Sequence, residues 1–305
     1  MSKVKTWEEY SEEEILKANI EKYDKDEIVE FYADFEEPKY SYIEYTVIFN
    51  AVLKFLHKHL KHTVRAVDMC GGAGKAAFAL KSCDPDCEVT LVDLADKMLD
   101  IARRKAEKDN IACRIVLDDA FSFLGNEEEE FDLIVFSSAL HHFKDPVSLL
   151  EAAAKRLSPQ GLIISIADPN TKIKSKRFRF LQFMASNSQL KKIAIKNCLN
   201  ELFRSSDKKA AGAENFDVAE YQTRTGINDI KLSNDIKRAG LAPLVHIRYP
   251  AGEPAMTKIM PWLGLCWAFS MVMCQEEEFI NYDGGTGLLK KEIKQELPYR
   301  VNFLI

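Results

Sequence analysis

The chain lacks the cysteine spacing of a disulfide framework. Its cysteines are an odd number without regular spacing, whereas small secreted domains use even numbers in a fixed rhythm. The seven positions are Cys70, Cys83, Cys87, Cys113, Cys198, Cys266 and Cys274. The first ten residues are charged and contain no apolar core of the kind that a secretory signal needs. We therefore expect no secretory signal and a protein of the reducing cytoplasm.

Metal-ligand spacings are also missing. Three residues separate Cys83 from Cys87, and lysines interrupt the histidine run from His57 to His62. Neither pattern matches the paired spacing of a structural zinc site. We expect no metal centre.

No unbroken apolar run reaches the length of about 20 residues that a membrane-spanning helix needs. The longest candidate, residues 256–274, is interrupted by Lys258, Pro261 and Gly264. We expect it to form sheet and lid, and we expect no transmembrane segment. A strong positive charge is missing as well. The net charge of −5 argues against a dedicated nucleic-acid-binding protein.

What the chain has is an alternation of apolar β-rich runs and helical patterns, with 47% hydrophobic residues. The predicted strands are Val64–Met69, Glu88–Asp93, Ile115–Leu117, Phe131–Phe136 and Leu162–Ala167. Helical patterns lie between them, notably Ala95–Asp109 and Val147–Leu157. This alternation predicts an α/β fold with helices on both faces of a parallel sheet. Ligands bind at the carboxyl ends of such strands.

The most informative run extends from Val64 to Lys75, where an apolar strand with an acid near its end leads into a glycine-dense turn. Glycines there can adopt positive φ and approach a ligand closely. The phosphate-loop interpretation fails because Ala76 stands where Ser or Thr would hold magnesium. The dinucleotide motif Gly-x-Gly-x-x-Gly fits only if Ala77 takes the place of its third glycine. The turn therefore predicts a nucleotide-type cradle without naming the cofactor.

Asp93 ends the second predicted strand, eighteen residues after Lys75. An acid at this distance from a glycine turn is typical of residues that bind ribose hydroxyls. The alternative is that Asp93 only caps the helix that follows it.

Further motifs follow in order. Asp118-Asp119-Ala120 comes after the third strand, and the fourth leads into Ser137-Ser-Ala-Leu-His-His-Phe143. With these motifs the chain resembles the class I S-adenosylmethionine-dependent methyltransferases of the small-molecule type, closely over residues 63–168 and more loosely over 230–274. The resemblance implies a doubly wound, seven-stranded, mostly parallel sheet with an antiparallel C-terminal hairpin, and helical lid segments. The hairpin strands would be Leu241–Tyr249 and Trp267–Cys274.

The resemblance also implies a site. S-adenosylmethionine would be the cofactor and S-adenosylhomocysteine its product. The cofactor-binding residues would be Asp68, Cys70, Gly71, Gly72, Gly74, Asp93, Leu94, Asp119, Ala120 and Ser137. His141 or His142 would be a catalytic general base, with capping or packing as the alternative role. Cys70 stands where the family usually has glycine, and we interpret it as a small buried residue rather than a reactive thiol.

Four parts follow from this organisation: an N-terminal helical lid (1–62), a cofactor-binding core (63–170), a basic insert or substrate lid (171–226) and the C-terminal part of the core (227–305). Residues 171–209 contain eleven Lys or Arg against two acids, with aromatic residues between them. We expect an amphipathic helical lid whose apolar side faces the active site. A solvated basic face is the alternative.

The expected activity is methyl transfer to an O, N or C nucleophile of a small-molecule acceptor, which the basic insert would allow to be anionic or amphipathic. Methylation of RNA or protein through that insert, a non-catalytic S-adenosyl-ligand-binding protein and a nicotinamide-dependent reductase are the alternatives. A homodimer is possible.

Overall fold

An eight-stranded mixed sheet organises the protein. A computed structural model describes residues 5–34, 43–185, 218–219, 221–250, 259–279, 287–298 and 300–305. The strands are β1 (Arg65–Met69), β2 (Glu88–Asp93), β3 (Arg114–Leu117), β4 (Phe131–Ser137), β5 (Leu157–Pro169), β6 (Leu241–Tyr249), β7 (Ala268–Gln275) and β8 (Asn302–Phe303). Each predicted strand has a counterpart among the first seven, and the largest difference is the earlier start of β5.

The strand order is β3-β2-β1-β4-β5-β7-β6-β8. Strands β1 to β5 pair in parallel, whereas β7 pairs antiparallel with both β5 and β6. The expected C-terminal hairpin is therefore confirmed, with the last long strand inserted beside β5. The expectation of seven strands is corrected by one, because the C-terminal tail adds β8 against Ile247 and Arg248. A two-residue strand has too little alternation to be predicted from its own sequence.

Eleven α-helices surround the sheet in the described residues. They are α1 (Glu12–Tyr23), α2 (Asp26–Asp34), α3 (Phe49–His59), α4 (Lys75–Cys83), α5 (Asp96–Asp109), α6 (Ala120–Asn126), α7 (Pro146–Ala154), α8 (Lys176–Ala185), α9 (Tyr221–Thr225), α10 (Asp229–Asp235) and α11 (Leu288–Glu296). The predicted helix Ile227–Gly240 is divided into α10 and a 3-10 turn, and it ends at Gly240, whose φ is 69°.

Two hydrophobic cores lie on opposite faces of the sheet. In β4, Leu133 and Val135 belong to the core that also contains α3, α4 and α11. The alternate residues Ile134 and Phe136 belong to the core under α6, α7 and α10. The period of two in the strand thus serves both faces. This arrangement confirms the doubly wound α/β fold.

The three helices of the N-terminal region pack against different parts of the protein. Helix α1 begins with a capping box, in which Ser11 and Glu14 each bond the other's backbone N–H. Helix α2 packs on α5. Helix α3, in contrast, buries Phe49, Val52 and Leu56 in the main core. Of these three helices, α1 and α2 therefore contribute no residue to the main core.

Helix α8, in the first part of the basic insert, packs on a small separate core. Phe178 of α8 forms a small separate core with Met260 and Leu265, and it packs near Trp267. Phe180 on the same helix is exposed. Residues 186–217 of the expected insert lid lie outside the described residues.

Among the helices that the structure describes, none combines the length and the apolar character needed to cross a bilayer.

Candidate active site

The turn after β1 is the centre of the candidate site. Cys70, Gly72 and Gly74 all have positive φ, at 57°, 51° and 84°. The N–H of Gly71 donates to the carbonyl of Val92 at 3.1 Å, which ties the turn to β2. A side chain at Gly71 would overlap those of Leu91 and Asp68, so only glycine fits there. The positive φ at Gly72 likewise favours glycine, and a Cβ there would lie 3.5 Å from Met98.

Cys70 occupies a left-handed conformation that L residues other than glycine adopt at a cost of roughly 1–2 kcal/mol. Its thiol lines the cavity described below. Burial, together with the nearby carboxylate of Asp93, raises the pKa of Cys70 well above its usual range. A neutral thiol is a weak nucleophile. The environment therefore agrees with a small packing residue and not with thiol chemistry.

Asp93 ends β2 beside this turn and holds two backbone N–H groups. Its Oδ2 accepts from Gly72 at 2.8 Å and its Oδ1 accepts from Ala95 at 2.8 Å. Burial raises the pKa of Asp93, although these backbone hydrogen bonds oppose the rise. Each carboxylate oxygen has two lone pairs, so both can still accept from a ligand hydroxyl. Asp93 therefore combines the turn-organising role with a cavity-facing one.

Asp119 performs a similar double task at the next strand end. Its Oδ1 caps α6 by accepting from Phe121 and Ser122 at 3.1 and 3.0 Å. The side chain also lines the cavity, where Leu94 and Ala120 supply apolar walls. The cap fixes the direction of the carboxylate toward the cavity.

A cavity of about 670 Å³ lies at this edge of the sheet. Ten of the twelve residues predicted for the site line it: Cys70, Gly71, Gly72, Asp93, Leu94, Asp119, Ala120, Ser137, His141 and His142. Helices α1, α2 and α9 line it as well, through residues such as Asn19, Tyr32 and Thr223. None of residues 171–180 of the basic insert is among the lining residues.

Asp68 and Gly74 are the two predicted residues outside the cavity lining. The Oδ2 of Asp68 accepts from the N–H of Ala77 at 2.9 Å, under the glycine turn. Gly74 begins α4 in the left-handed conformation. Both residues therefore support the conformation of the glycine turn without lining the cavity. Burial raises the pKa of Asp68 to about 7.

The two neighbouring histidines differ sharply in their partners. His141 Nδ1 lies 2.9 Å from Asp168 Oδ1, and its backbone N–H donates to the same oxygen at 3.2 Å. Ser165 donates to the other oxygen of Asp168 at 2.8 Å. Because a carboxylate accepts only, Nδ1 of His141 carries the proton and Nε2 is the ring's acceptor. Asp168 therefore fixes the orientation of the His141 ring.

His142 has a different environment. Its ring lies 4.1 Å from that of His141 and edge-on to Tyr23, whose hydroxyl is 3.4 Å from Nε2. Burial and the neighbouring His141 hold the pKa of His142 well below its usual range. His142 is therefore a neutral packing residue near pH 7, and it forms no pair with a carboxylate of the described residues.

Sequence reasoning missed Asp168 as a site residue. It follows an apolar strand as Asp68 and Asp93 do, and that position was the available signal. Its direction depends on a bulge between Ser165 and Asp168, where Ala167 has a φ of 61°. The hydroxyl of Tyr249 accepts from the N–H of Ala167 at 3.1 Å. Local sequence carried no signal for this support.

Two residues beside the predicted Ser137, at the end of β4, were also missed: Tyr45 and Lys75. Ser137 Oγ lies 2.8 Å from the hydroxyl of Tyr45, which stands in the π-helical turn Ile43–Ile48. The ammonium group of Lys75 lies over the Tyr45 ring, 4.4 Å from its centre. All three line the cavity. They give this end of the cavity a cation and two hydroxyls, which suits a carboxylate.

Comparison with known proteins agrees with this picture. Residues 66–161 match the family model described as a methyltransferase domain. The chain is 29% identical to a demethylmenaquinone methyltransferase of Thermus thermophilus over 137 residues, which cover 43% of this chain and 62% of that protein. It is 30% identical to the enzyme of that name from Chlamydia pneumoniae over 95 residues, covering 31% and 40% of the two chains. The chain thus spans less than two thirds of these relatives.

The fold is similar to that of two solved structures. One is the plantazolicin methyltransferase BpumL in complex with SAH, with a TM-score of 0.50 at 15% identity, covering 86% of this chain and 96% of that one. The other is the magnesium protoporphyrin IX methyltransferase ChlM from Synechocystis PCC 6803 with bound SAH, with a TM-score of 0.51 at 11% identity, covering 84% and 97%. At these identities the likeness concerns the fold alone.

The raised pKa of Asp68 predicts a pH effect on stability. Since about 7 exceeds its ordinary value of 3.8, the folded protein binds more protons between these pH values than the unfolded protein. The stability contributed by this group is present at low pH and is lost as the pH rises through 7. Asp68→Asn should flatten that decline, by up to about 1.4 kcal/mol per pH unit. Urea unfolding at several pH values measures it, and equal slopes in both proteins would contradict the assignment.

Proposed function

On the premise that residues 66–161 form a class I S-adenosylmethionine-dependent methyltransferase domain, by family match and by fold, we propose that the protein transfers a methyl group from S-adenosylmethionine to a small-molecule acceptor. One observation carries the proposal. A single cavity is lined by the glycine turn and Asp93 on one side and by the oriented base His141 on the other. Donor and acceptor groups need this proximity because methyl transfer depends mainly on positioning.

The cradle suits the proposed donor. A Cβ on Gly72 would approach no protein atom closer than 3.5 Å, so this backbone is open toward the cavity. Asp93 offers carboxylate oxygens for the ribose, and Leu94 and Ala120 offer apolar contacts for the adenine, with Asp119 as an acceptor for its amino group. Lys75, Tyr45 and Ser137 offer a cation and hydroxyls for the amino-acid end. When bound, S-adenosylmethionine supplies an activated methyl group on its sulfonium.

The work of the chain on the acceptor would be proton removal. His141 Nε2 accepts the proton of an acceptor O–H or N–H, and the imidazolium that results is stabilised by Asp168. Ser165 and the backbone N–H of His141 hold that carboxylate in position. We assign the base role to His141 rather than His142, because only His141 has a carboxylate partner among the described residues.

The acceptor half of the cavity favours an aromatic small molecule. Its walls include the aromatic rings of Tyr23, Phe121 and Phe143. Helices α1, α2 and α9 contribute to its lining, whereas α3 belongs to the core. The cited relatives named demethylmenaquinone methyltransferases agree with an aromatic acceptor. A concave cavity of about 670 Å³ suits a small molecule better than a strand of RNA or a protein surface.

Two buried polar atoms mark where the acceptor's polar group would bind. Asn19 Oδ1 and Thr223 Oγ1 are buried without a hydrogen-bond partner among the described residues. Both residues line the cavity. An unpartnered buried polar group destabilises the fold by about 1–3 kcal/mol. A hydrogen bond to the acceptor would offset that cost.

The overall proposal is tested by incubating the protein with labelled S-adenosylmethionine and a panel of small phenols, quinols and aromatic amines, beside total RNA and total protein. Methyl transfer to the small-molecule panel is expected. Labelling of RNA or protein only would replace the proposal. Tight binding of S-adenosylhomocysteine without any turnover would indicate a binding protein.

Asp93→Ala should weaken binding of S-adenosylhomocysteine at least about tenfold, or 1.4 kcal/mol, because the ribose contact is lost and the Gly72 turn is released. Isothermal titration calorimetry measures this. Asp118→Ala is the matched control, since Asp118 stands at a neighbouring strand end and its side chain accepts from the backbone N–H of Asp119 at 2.9 Å. Equal affinity in the two variants would remove Asp93 from the donor site.

His141→Ala should lower kcat about 100-fold or more while the affinity for S-adenosylhomocysteine changes less than about twofold, because the base touches the acceptor and not the donor. Asp168→Asn should also lower kcat and should shift the acidic limb of the pH–rate profile. His142→Phe is the control that keeps a ring between His141 and Tyr23. A large loss in His142→Phe with near-normal His141→Ala would reverse the assignment.

Thr223→Val and Asn19→Leu should raise the KM of the acceptor about tenfold and leave donor affinity unchanged. Because each removes an unpartnered buried polar atom, the free energy of unfolding should stay equal or rise by about 1 kcal/mol. Steady-state kinetics and urea unfolding separate the two effects. A loss of stability with normal KM would indicate a purely structural role.

A further inference from the structure

A cluster of exposed apolar side chains lies in the turn before β7. Ile259, Trp262 and Leu263 are 56%, 71% and 52% exposed. Single exposed hydrophobic residues are ordinary, but three within five positions form a patch. We call this cluster the 259–263 patch. A tryptophan at its centre is the residue that membrane interfaces favour most, together with tyrosine.

Positively charged side chains lie beside the patch. The guanidinium of Arg300 lies over the Trp262 ring, 4.0 Å from its centre. The neighbouring segment 171–185 contains no acidic residue. Its basic side chains Lys172, Lys174, Lys176 and Arg177 are exposed. Because the whole chain has a net charge of −5, this local surplus of cations is distinct from the average surface.

A small core joins the two segments into one surface. Phe178 from the basic segment is buried with Met260 and Leu265 from the other side. The backbone adds further links, since the N–H of Asn170 donates to the carbonyl of Trp267 at 2.7 Å. The apolar patch and the basic segment are therefore held beside each other in the folded protein.

This surface shares an edge of the sheet with the candidate active site. Pro169, at the end of β5, pairs with Ala268, at the start of β7. The turn that carries the patch therefore lies at the carboxyl ends of the parallel strands, where the cavity is also found. A molecule that partitions into a bilayer would meet this edge.

We propose that the 259–263 patch, with the basic residues beside it, binds the protein peripherally to anionic lipid bilayers. The apolar side chains would enter the headgroup region and the cations would remain with the lipid phosphates. A second copy of this chain is disfavoured because two basic surfaces would meet. Nucleic acid is disfavoured because Ile259 and Leu263 offer hydrocarbon contact and no base recognition.

The test is sedimentation with vesicles of phosphatidylcholine containing about 30 mol% phosphatidylserine, beside phosphatidylcholine alone. Wild-type protein should pellet with the anionic vesicles and be released at about 0.5 M salt. The double variant Trp262→Ser, Leu263→Ser should lower the partition coefficient about tenfold or more, because it loses two apolar side chains that would be buried in the headgroup region of the bilayer. Lys174→Glu with Lys176→Glu should also lower it.

Leu117→Ser is the matched control, because Leu117 is exposed to the same 52% but lies on the edge strand β3. It should bind vesicles like the wild type. Circular dichroism and S-adenosylhomocysteine affinity check that each variant is folded. Tryptophan emission should shift to the blue with vesicles in the wild type and not in Trp262→Phe, which places the contact at Trp262.

Three outcomes would overturn the proposal: wild-type protein that stays in solution with anionic vesicles, a double variant that binds them unchanged, or loss of RNA binding or of dimerisation in that variant in place of vesicle binding. Vesicle binding needs no methyl donor. The proposal therefore goes beyond the proposed function, and either can fail without the other.

Discussion

Parallel pairing of β1 with β2 and β4 is the constraint on which the candidate site depends. Asp68 pairs in register with Leu91 and with Val135, so the three strands end together. The turns after them must then share one edge of the sheet. The glycine turn, Asp93 and Ser137 come from segments far apart in the chain, and this register alone makes them neighbours. Both cores bury the alternating faces of these strands and thereby hold the register in place.

Buried carboxylates recur along that edge, and each one organises backbone. Asp68 holds the start of α4, Asp93 holds the glycine turn, and Asp168 holds the segment at His141. Burial of a carboxylate is unfavourable unless it accepts hydrogen bonds. All three carboxylates therefore stabilise the turns, and Asp93 also lines the cavity. Rigid placement of this kind suits a reaction that depends on orientation more than on strong acid or base chemistry.

The covering elements divide into two kinds. Helices α1, α2 and α9 line the cavity, whereas residues 171–180 of the basic insert pack beside the turn before β7. Because α9 also belongs to the insert as defined above, the interpretation of the insert as a lid stays a prediction. A buried Phe178 and an exposed Phe180 on one helix show why aromatic residues among lysines do not reveal which surface they contact. Cys70 is half-buried, and its positive φ is a conformation that glycine adopts more readily.

Sequence by itself determined the alternation of strands and helices in the parallel half, the cradle at Gly71 and Gly72, and the acid at Asp93. These features depend on local patterns: alternation of apolar residues, glycine where φ is positive, and acids at strand ends. Only the tertiary structure decided which histidine has a carboxylate partner, because the His141–Asp168 pair joins residues 27 positions apart through a bulge held by Tyr249. The same holds for Tyr45 at Ser137, a contact across 92 positions. Such contacts are set by packing, and no local period in the chain records them.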